Sequence, residues 1–152
     1  LLLTAPVHEV WIVLAKFLAA LMLVTCLLAG SGAYAVVLGL YGEPDWAPIY
    51  GGYIALFLLA CLLISIGTLT SSLTENQVVA ATCSLGACLM LWFADSAAYM
   101  LPAPLDAVAI NLSLIGHFTT FVSGSLFLSD AGYYLTLSLL ALFLTTRVVT
   151  DR

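Results

Sequence analysis

Charged side chains divide the chain into long apolar segments. Four segments contain no Asp, Glu, Lys or Arg, namely residues 17–40, 46–74, 76–94 and 131–146. A helix needs about 20 predominantly apolar residues to cross the hydrocarbon core of a bilayer. The first three segments meet this need, and Arg147 extends the fourth because its long side chain can reach the interface. The pattern predicts four membrane-spanning helices, near residues 10–40, 48–72, 76–95 and 131–149.

A fifth uncharged segment, residues 107–129, differs from the other four because it is rich in polar groups. These groups are Asn111, Ser113, His117, Thr119, Thr120, Ser123 and Ser125. Polar side chains are costly in lipid, and Pro102 and Pro104 interrupt the chain just before this segment. We therefore predict an outer segment, residues 102–130, of one or two helices that lie in or dip into the outer interface.

The few basic residues predict how the chain is oriented across the membrane. Lys16 lies near the inner end of the first predicted span, Arg147 lies near the end of the last, and Arg152 follows it. Basic residues favour the cytoplasmic side, so all three are expected there and the number of crossings is even. Lys16 and Arg147 are predicted to anchor the chain at this side. The alternative role for Lys16 is a contact with a cytoplasmic partner or a lipid head group.

The composition supports a membrane protein. The chain is 64% hydrophobic and 7% charged, whereas about a quarter of the residues in a soluble domain are charged. No alternation typical of strands is present, so the predicted class is an all-α integral membrane protein. Eight acids against three bases give a net charge of -5, which argues against a nucleic-acid partner.

Two helix starts carry sequence signals. Thr74, followed three residues later by Gln77, matches a capping box for the third span. Ser129 or Asp130 is expected to cap the last span.

Candidate chemistry is sparse. Asp95, Asp106 and Asp130 fall near outer helix ends and are predicted to be solvated caps, which leaves no acid inside a span and argues against proton coupling. His117 has no second ligand beside it, so it is expected to be interfacial or hydrogen-bonded, with substrate passage or helix docking as alternatives.

No catalytic constellation, P-loop or zinc motif occurs in the sequence, so no catalytic or metal-binding residue is predicted. The cysteines lack CxxC spacing and are expected to be small buried residues; they are Cys26, Cys61, Cys83 and Cys88.

The start of the chain carries a more specific pattern of three blocks: Leu2-Leu3-Thr4-Ala5-Pro6-Val7, Trp11-Ile12-Val13-Leu14 and Ala15-Lys16. This pattern resembles the cytoplasmic coupling helix and following span of type 2 ABC transporter permeases. It departs from that family at Ala15, where Gly is usual, and at His8, where Ser or Thr is common.

Later blocks follow in the order seen in the gliding-motility branch of that family. They are Pro44-Asp45-Trp46, Gly51-Gly52-Tyr53, Ile66-Gly67, Ser71-Ser72-Leu73-Thr74, Asn76-Gln77, His117-Phe118, Phe121, Gly124, Asp130 and Tyr133-Tyr134. The resemblance covers nearly the whole chain. Within the outer segment, the candidate site residues are His117, Phe118, Phe121, Gly124 and Asp130.

The resemblance implies a permease subunit of an exporter-type ABC transporter in the plasma (inner) membrane. It implies an ATP-binding subunit and a second permease as partners, within a lipid bilayer. ATP hydrolysis is expected in the ATP-binding subunit, so this chain is not expected to be an enzyme or to bind a cofactor directly. Six spans are usual in that family, so the chain is expected to hold the third to sixth and to lack the first two.

The resemblance also assigns a coupling helix to residues 1–9. Its predicted partner-binding residues are Leu2, Leu3, Thr4, Pro6, Val7 and Glu9. The apolar residues would enter a groove of the ATP-binding subunit, Pro6 would shape the turn, and Glu9 would pair with a partner Arg.

Two other functions fit the residues alone. One is a non-transport membrane scaffold or assembly protein that binds other helices through faces of small residues. The other is a channel or secondary transporter, which the lack of an acid within the predicted spans disfavours.

Overall fold

Six helices account for the part of the chain that the structure describes. The computed structural model describes residues 9–98, 100, 102, 105–123 and 128–150. The helices are α1 (Glu9–Tyr41), α2 (Trp46–Leu73), α3 (Gln77–Ala98), α4 (Leu105–Leu112), α5 (Leu114–Val122) and α6 (Leu128–Thr150). No strand occurs in these ranges. The predicted all-α class is confirmed.

The four long helices α1, α2, α3 and α6 are each long and apolar enough to cross a membrane. They correspond to the four predicted spans. The last span differs most, because α6 begins at Leu128 rather than near residue 131. Ser129 and Asp130 therefore lie in the first turn of α6, and the prediction that one of them caps this helix is wrong.

The turn between α2 and α3 also differs from the predicted one. Thr74 has an extended backbone, with φ -137° and ψ 144°, and it terminates α2 instead of starting α3. The Asn76 side chain begins α3, because its Oδ1 accepts a hydrogen bond of 2.9 Å from the Val78 backbone N–H. Thr74 Oγ1 supports the turn by accepting from the Asn76 N–H at 3.2 Å. Asn is among the preferred residues at this position.

Helix α2 lies at the centre of the bundle, packed against α1, α3, α5 and α6. The core cluster combines Ala55, Leu58, Leu59 and Leu62 of α2 with Leu114 and Phe121 of α5 and Tyr134 of α6. Three buried hydroxyl groups form hydrogen bonds within their own helix. Ser65, Ser138 and Thr145 each donate to the backbone carbonyl four residues earlier. This arrangement is the usual way to place a hydroxyl in a water-free bundle.

Helices α1 and α3 lie at the periphery of the bundle, and most of their side chains are not buried inside it. Cys26 on α1 and Cys83 on α3 are exposed on these surfaces, so the prediction that they are buried is wrong, whereas Cys61 on α2 is buried. The reason is that in lipid an apolar side chain gains little by facing the protein interior rather than the acyl chains.

The predicted outer segment forms two short helices, α4 and α5, which we call the outer helix pair. The pair connects α3 to α6, and α5 packs against α2. Leu114 and Phe121 of α5 are buried in the core cluster, whereas Val108 and Ile110 of α4 are exposed. Helix α5 therefore enters the core of the bundle, whereas α4 packs against α3.

Candidate functional site

A polar cluster joins the outer helix pair to the first turns of α6, and we call it the outer polar junction. Asp130, Tyr133 and Tyr134 of α6 contribute one side of it, and their spacing places them on one face of the helix. The other side consists of Asn111, Leu112, Leu114 and His117 of the pair.

The centre of the junction is a contact between His117 and Asp130. His117 Nδ1 lies 2.7 Å from Asp130 Oδ1. Asp130 is only 7% exposed, so the prediction of a solvated cap is wrong for this residue. The physical reason is that α6 starts earlier than predicted, which places the carboxylate against α5 instead of in water. The second carboxylate oxygen, Oδ2, is buried and has no hydrogen-bond partner among the described residues.

His117 bridges two acceptors. Its Nε2 lies 3.3 Å from the backbone carbonyl oxygen of Asn111, while its Nδ1 faces Asp130. A neutral imidazole donates through one nitrogen, whereas an imidazolium donates through both. Both ring nitrogens of His117 thus lie within hydrogen-bonding distance of an acceptor, one on α6 and one at the carboxyl end of α4.

Two tyrosines complete the junction. Tyr133 OH donates to the Leu112 carbonyl at 2.7 Å, and Tyr134 OH donates to the Leu114 carbonyl at 3.0 Å. The Tyr133 ring also stacks on the His117 ring, with centroids 4.2 Å apart and an interplanar angle of 22°. The last carbonyls of a helix have no hydrogen-bond partner within that helix. The Tyr133 hydroxyl supplies a donor for one of these carbonyls at the end of α4.

Ser113 separates α4 from α5 and begins α5. It is fully buried, and its Oγ accepts a hydrogen bond of 3.2 Å from the Gly116 N–H. This cap was not predicted from the sequence, although Ser is among the residues preferred at this position. Tyr133 and Tyr134 were noted only as one block of the family resemblance, and the D-x-x-Y-Y spacing is the signal that was available.

The other predicted residues of the outer segment lie nearby. Phe121 is buried in the core cluster, and Phe118 packs against it. Gly124 lies outside the described residues. The structure thus brings His117 and Asp130 into direct contact and assigns the two phenylalanines to packing.

The predicted anchors lie at the opposite end of the bundle. Lys16 Nζ donates to Ser71 Oγ at 3.3 Å, which links α1 to the last turns of α2. Arg147 lies over the Phe143 ring, with 5.5 Å between the guanidinium carbon and the ring centroid. Within the predicted coupling helix, Leu2, Leu3, Thr4, Pro6 and Val7 lie outside the described residues, and α1 begins at Glu9.

The junction suits holding two elements together more than it suits chemistry on a substrate. Its carboxylate and its imidazole are bound to each other, and its tyrosine hydroxyls donate to backbone carbonyls. Among the described residues, no group of three or more His, Cys, Asp or Glu side chains is arranged to hold a metal ion.

Four membrane-spanning helices with an outer helix pair define a multi-pass integral membrane protein. The family model described as ABC-2 family transporter protein matches residues 1–149, so this chain belongs to that family. It is the membrane permease component of an ABC transporter. Permeases of this family work with a separate ATP-binding subunit. No curated protein and no solved structure matches the chain.

Proposed function

We propose that this protein is the translocating permease subunit of an ATP-driven exporter in the plasma (inner) membrane, of the gliding-motility-like branch. The observation that carries the proposal is the family match over residues 1–149 on a chain with four membrane-spanning helices. A second permease, either another copy or a relative, and an ATP-binding subunit complete the transporter. ATP is bound and hydrolysed by the partner, and this chain binds no cofactor directly.

In this proposal, residues 1–9 are the coupling helix that receives the motion of the ATP-binding subunit. These residues lead directly into α1, a continuous helix of 33 residues and about 50 Å. That length exceeds the roughly 30 Å hydrocarbon core, so α1 can extend towards a cytoplasmic partner. Trp11, in the first turn of α1, is 64% exposed and offers an apolar contact for that partner.

The inner end of α1 is connected to the core. Val13 and Phe17 are buried on the side of α1 that faces the bundle, and Lys16 reaches Ser71 on α2. A displacement of the coupling helix is therefore passed to α2, which contacts the other long helices and α5. Rigid helices that move as bodies are a common way to transmit such shifts.

The proposed cargo class is based on the helix surfaces. An open groove of about 650 Å³ lies between α1 and α2, and its lining is almost entirely apolar, with Trp46, Tyr50 and Phe57 along α2. Charged side chains are absent from its wall. This groove favours an apolar or lipid-like cargo over a charged solute.

Copurification of the full-length protein from its own membranes tests the proposal. We expect an ABC ATP-binding subunit to copurify, and we expect the double substitution Pro6→Ala with Val7→Ala to reduce its recovery at least tenfold. The matched control is Val37→Ala with Leu40→Ala, two exposed positions in the other half of α1 and outside the groove. Recovery of other membrane proteins without an ATP-binding subunit would favour the scaffold function.

A further inference from the structure

The outer helix pair packs against α3, and it is held to α2 and to α6 by different forces. Leu114 and Phe121 of α5 are buried together with α2 residues in the core cluster. Towards α6, the pair makes the polar contacts of the outer polar junction, and these come from the first two turns of α6. The attachment of α5 to α2 is thus apolar, whereas its attachment to α6 combines the packing of the Tyr134 ring in the core cluster with a few directed contacts.

The carboxylate of the His117–Asp130 contact is incompletely satisfied in this arrangement. Asp130 Oδ2 is buried without a partner among the described residues, although the carboxylate prefers several donors. The same carboxylate would gain hydrogen bonds from water if the outer ends of α5 and α6 separated. His117 would likewise find water for both ring nitrogens. Water would therefore replace every hydrogen bond that the His117–Asp130 pair loses on opening.

We propose that the His117–Asp130 contact is a latch that closes the outer end of the permease by holding the outer helix pair to α6. The inference rests on the proposed function in one respect, which is that ATP-driven transport supplies the motion that opens the latch. Tyr134 is fully buried and remains the fixed side of the junction, while Asp130 and Tyr133 are the contacts that separate. The latch has two states, one paired and dry and one separated and hydrated.

Hydrogen–deuterium exchange of the full transporter in lipid nanodiscs tests the latch. The readout is the exchange rate of backbone amides in residues 111–123. Without nucleotide, we expect Asp130→Asn and His117→Gln each to accelerate this exchange about tenfold, equivalent to about 1.4 kcal/mol. Tyr133→Phe keeps the ring stack and removes only the hydroxyl, so a smaller acceleration of about threefold is expected.

Two further variants separate a latch from a general loss of stability. Thr119→Ala lies on the same helix, where the hydroxyl donates only to its own helix at Gly116, and we expect it to leave the exchange unchanged. Combining Asp130→Asn with His117→Gln is expected to accelerate exchange no more than the larger single effect, because the two side chains form one contact. Additive effects, or unchanged exchange in both single variants, would overturn the proposal.

Addition of ATP distinguishes this proposal from the proposed function. In the unchanged transporter, ATP is expected to raise exchange in residues 111–123 to the level of Asp130→Asn, with little further rise in that variant. If ATP is hydrolysed and cargo is moved while this exchange stays constant, the latch is wrong and the transporter function stands. If ATP changes exchange nowhere in the protein and no hydrolysis occurs, the transporter function is wrong. The comparison of the Asp130→Asn and His117→Gln variants with the unchanged protein, made without nucleotide, still decides whether the His117–Asp130 contact holds the outer helix pair.

Discussion

The inner and outer ends of the helix bundle are joined in different ways. At the inner end, an exposed Lys16 ammonium donates a single hydrogen bond of 3.3 Å to Ser71. At the outer end, a buried carboxylate contacts an imidazole at 2.7 Å, and two tyrosines add hydrogen bonds to backbone carbonyls.

This difference indicates which end of the bundle resists motion more strongly. An exposed contact of a flexible side chain contributes little because water competes for both groups. A buried charged contact is costly to break from one side because the remaining partner is left without compensation. The polar contact at the inner end therefore resists a partner's motion little, and the outer end holds its closed arrangement until the His117 and Asp130 side chains are hydrated together.

The largest expected effect is at Tyr134. Replacement by Ala removes a fully buried ring from the core cluster together with its hydrogen bond to Leu114, and we expect a loss of about 3–5 kcal/mol in the free energy of unfolding. Tyr34→Ala is the matched control, because this ring on α1 is 80% exposed and should change stability little. Denaturant unfolding in detergent measures both. Equal losses at the two positions would show that the outer junction is not a special centre of stability.

Removal of the imidazole comes next. His117→Ala leaves the buried Asp130 carboxylate without its partner, so we expect a loss of roughly 3 kcal/mol in stability. Adding Asp130→Ala to this variant should restore part of the loss, because no unpaired charge then remains. The same unfolding measurement gives both values. A double variant less stable than either single variant would contradict a coupled buried pair.

A moderate effect is expected in the turn between α2 and α3. Asn76→Ala removes the side chain that begins α3, and we expect a loss of about 1 kcal/mol. Thr74→Ala should cost less, because Thr74 supports the turn without capping α3. Thermal unfolding of the two variants ranks them directly. A larger loss for Thr74→Ala than for Asn76→Ala would support the capping box of Thr74 and Gln77 that the sequence alone indicated.

The smallest effect is expected at the inner contact. Ser71→Ala removes the acceptor of the Lys16 hydrogen bond, and we expect a change below about 0.5 kcal/mol because the contact is exposed. Ser65→Ala provides a comparison on the same helix, at a buried hydroxyl. Thermal unfolding again provides the measurement. A loss at Ser71 as large as that for His117→Ala would remove the difference between the two ends.

Much of the fold follows from the sequence because lipid makes charge so costly. The spacing of charged residues located four spans and set apart the outer segment, whose Asn, Ser, His and Thr residues are unsuited to a crossing helix. The resemblance in the coupling-helix and later blocks indicated the family that the match over residues 1–149 shows. These features are local in sequence, so no knowledge of packing was needed.

The outer polar junction depends on packing and was less predictable. Asp130 and His117 were both candidates, but nothing local shows that α6 starts at Leu128 and turns this carboxylate towards α5. The roles of Tyr133 and Tyr134 depend on carbonyls at the end of α4 and in the first turn of α5. The capping of α3 was missed because Thr74 and Asn76 are both good caps, and the extended backbone at Thr74 decides between them.

The most direct test of the whole account asks whether a change at the inner end is felt at the outer end. The measurement is the ATP-dependent change in amide exchange of residues 111–123 in the reconstituted transporter, compared between the Pro6→Ala with Val7→Ala variant and the Val37→Ala with Leu40→Ala control. We predict that ATP raises this exchange in the control as it does in the unchanged protein, and leaves it constant in the Pro6 and Val7 variant. An equal response in both variants would contradict coupling through the start of the chain.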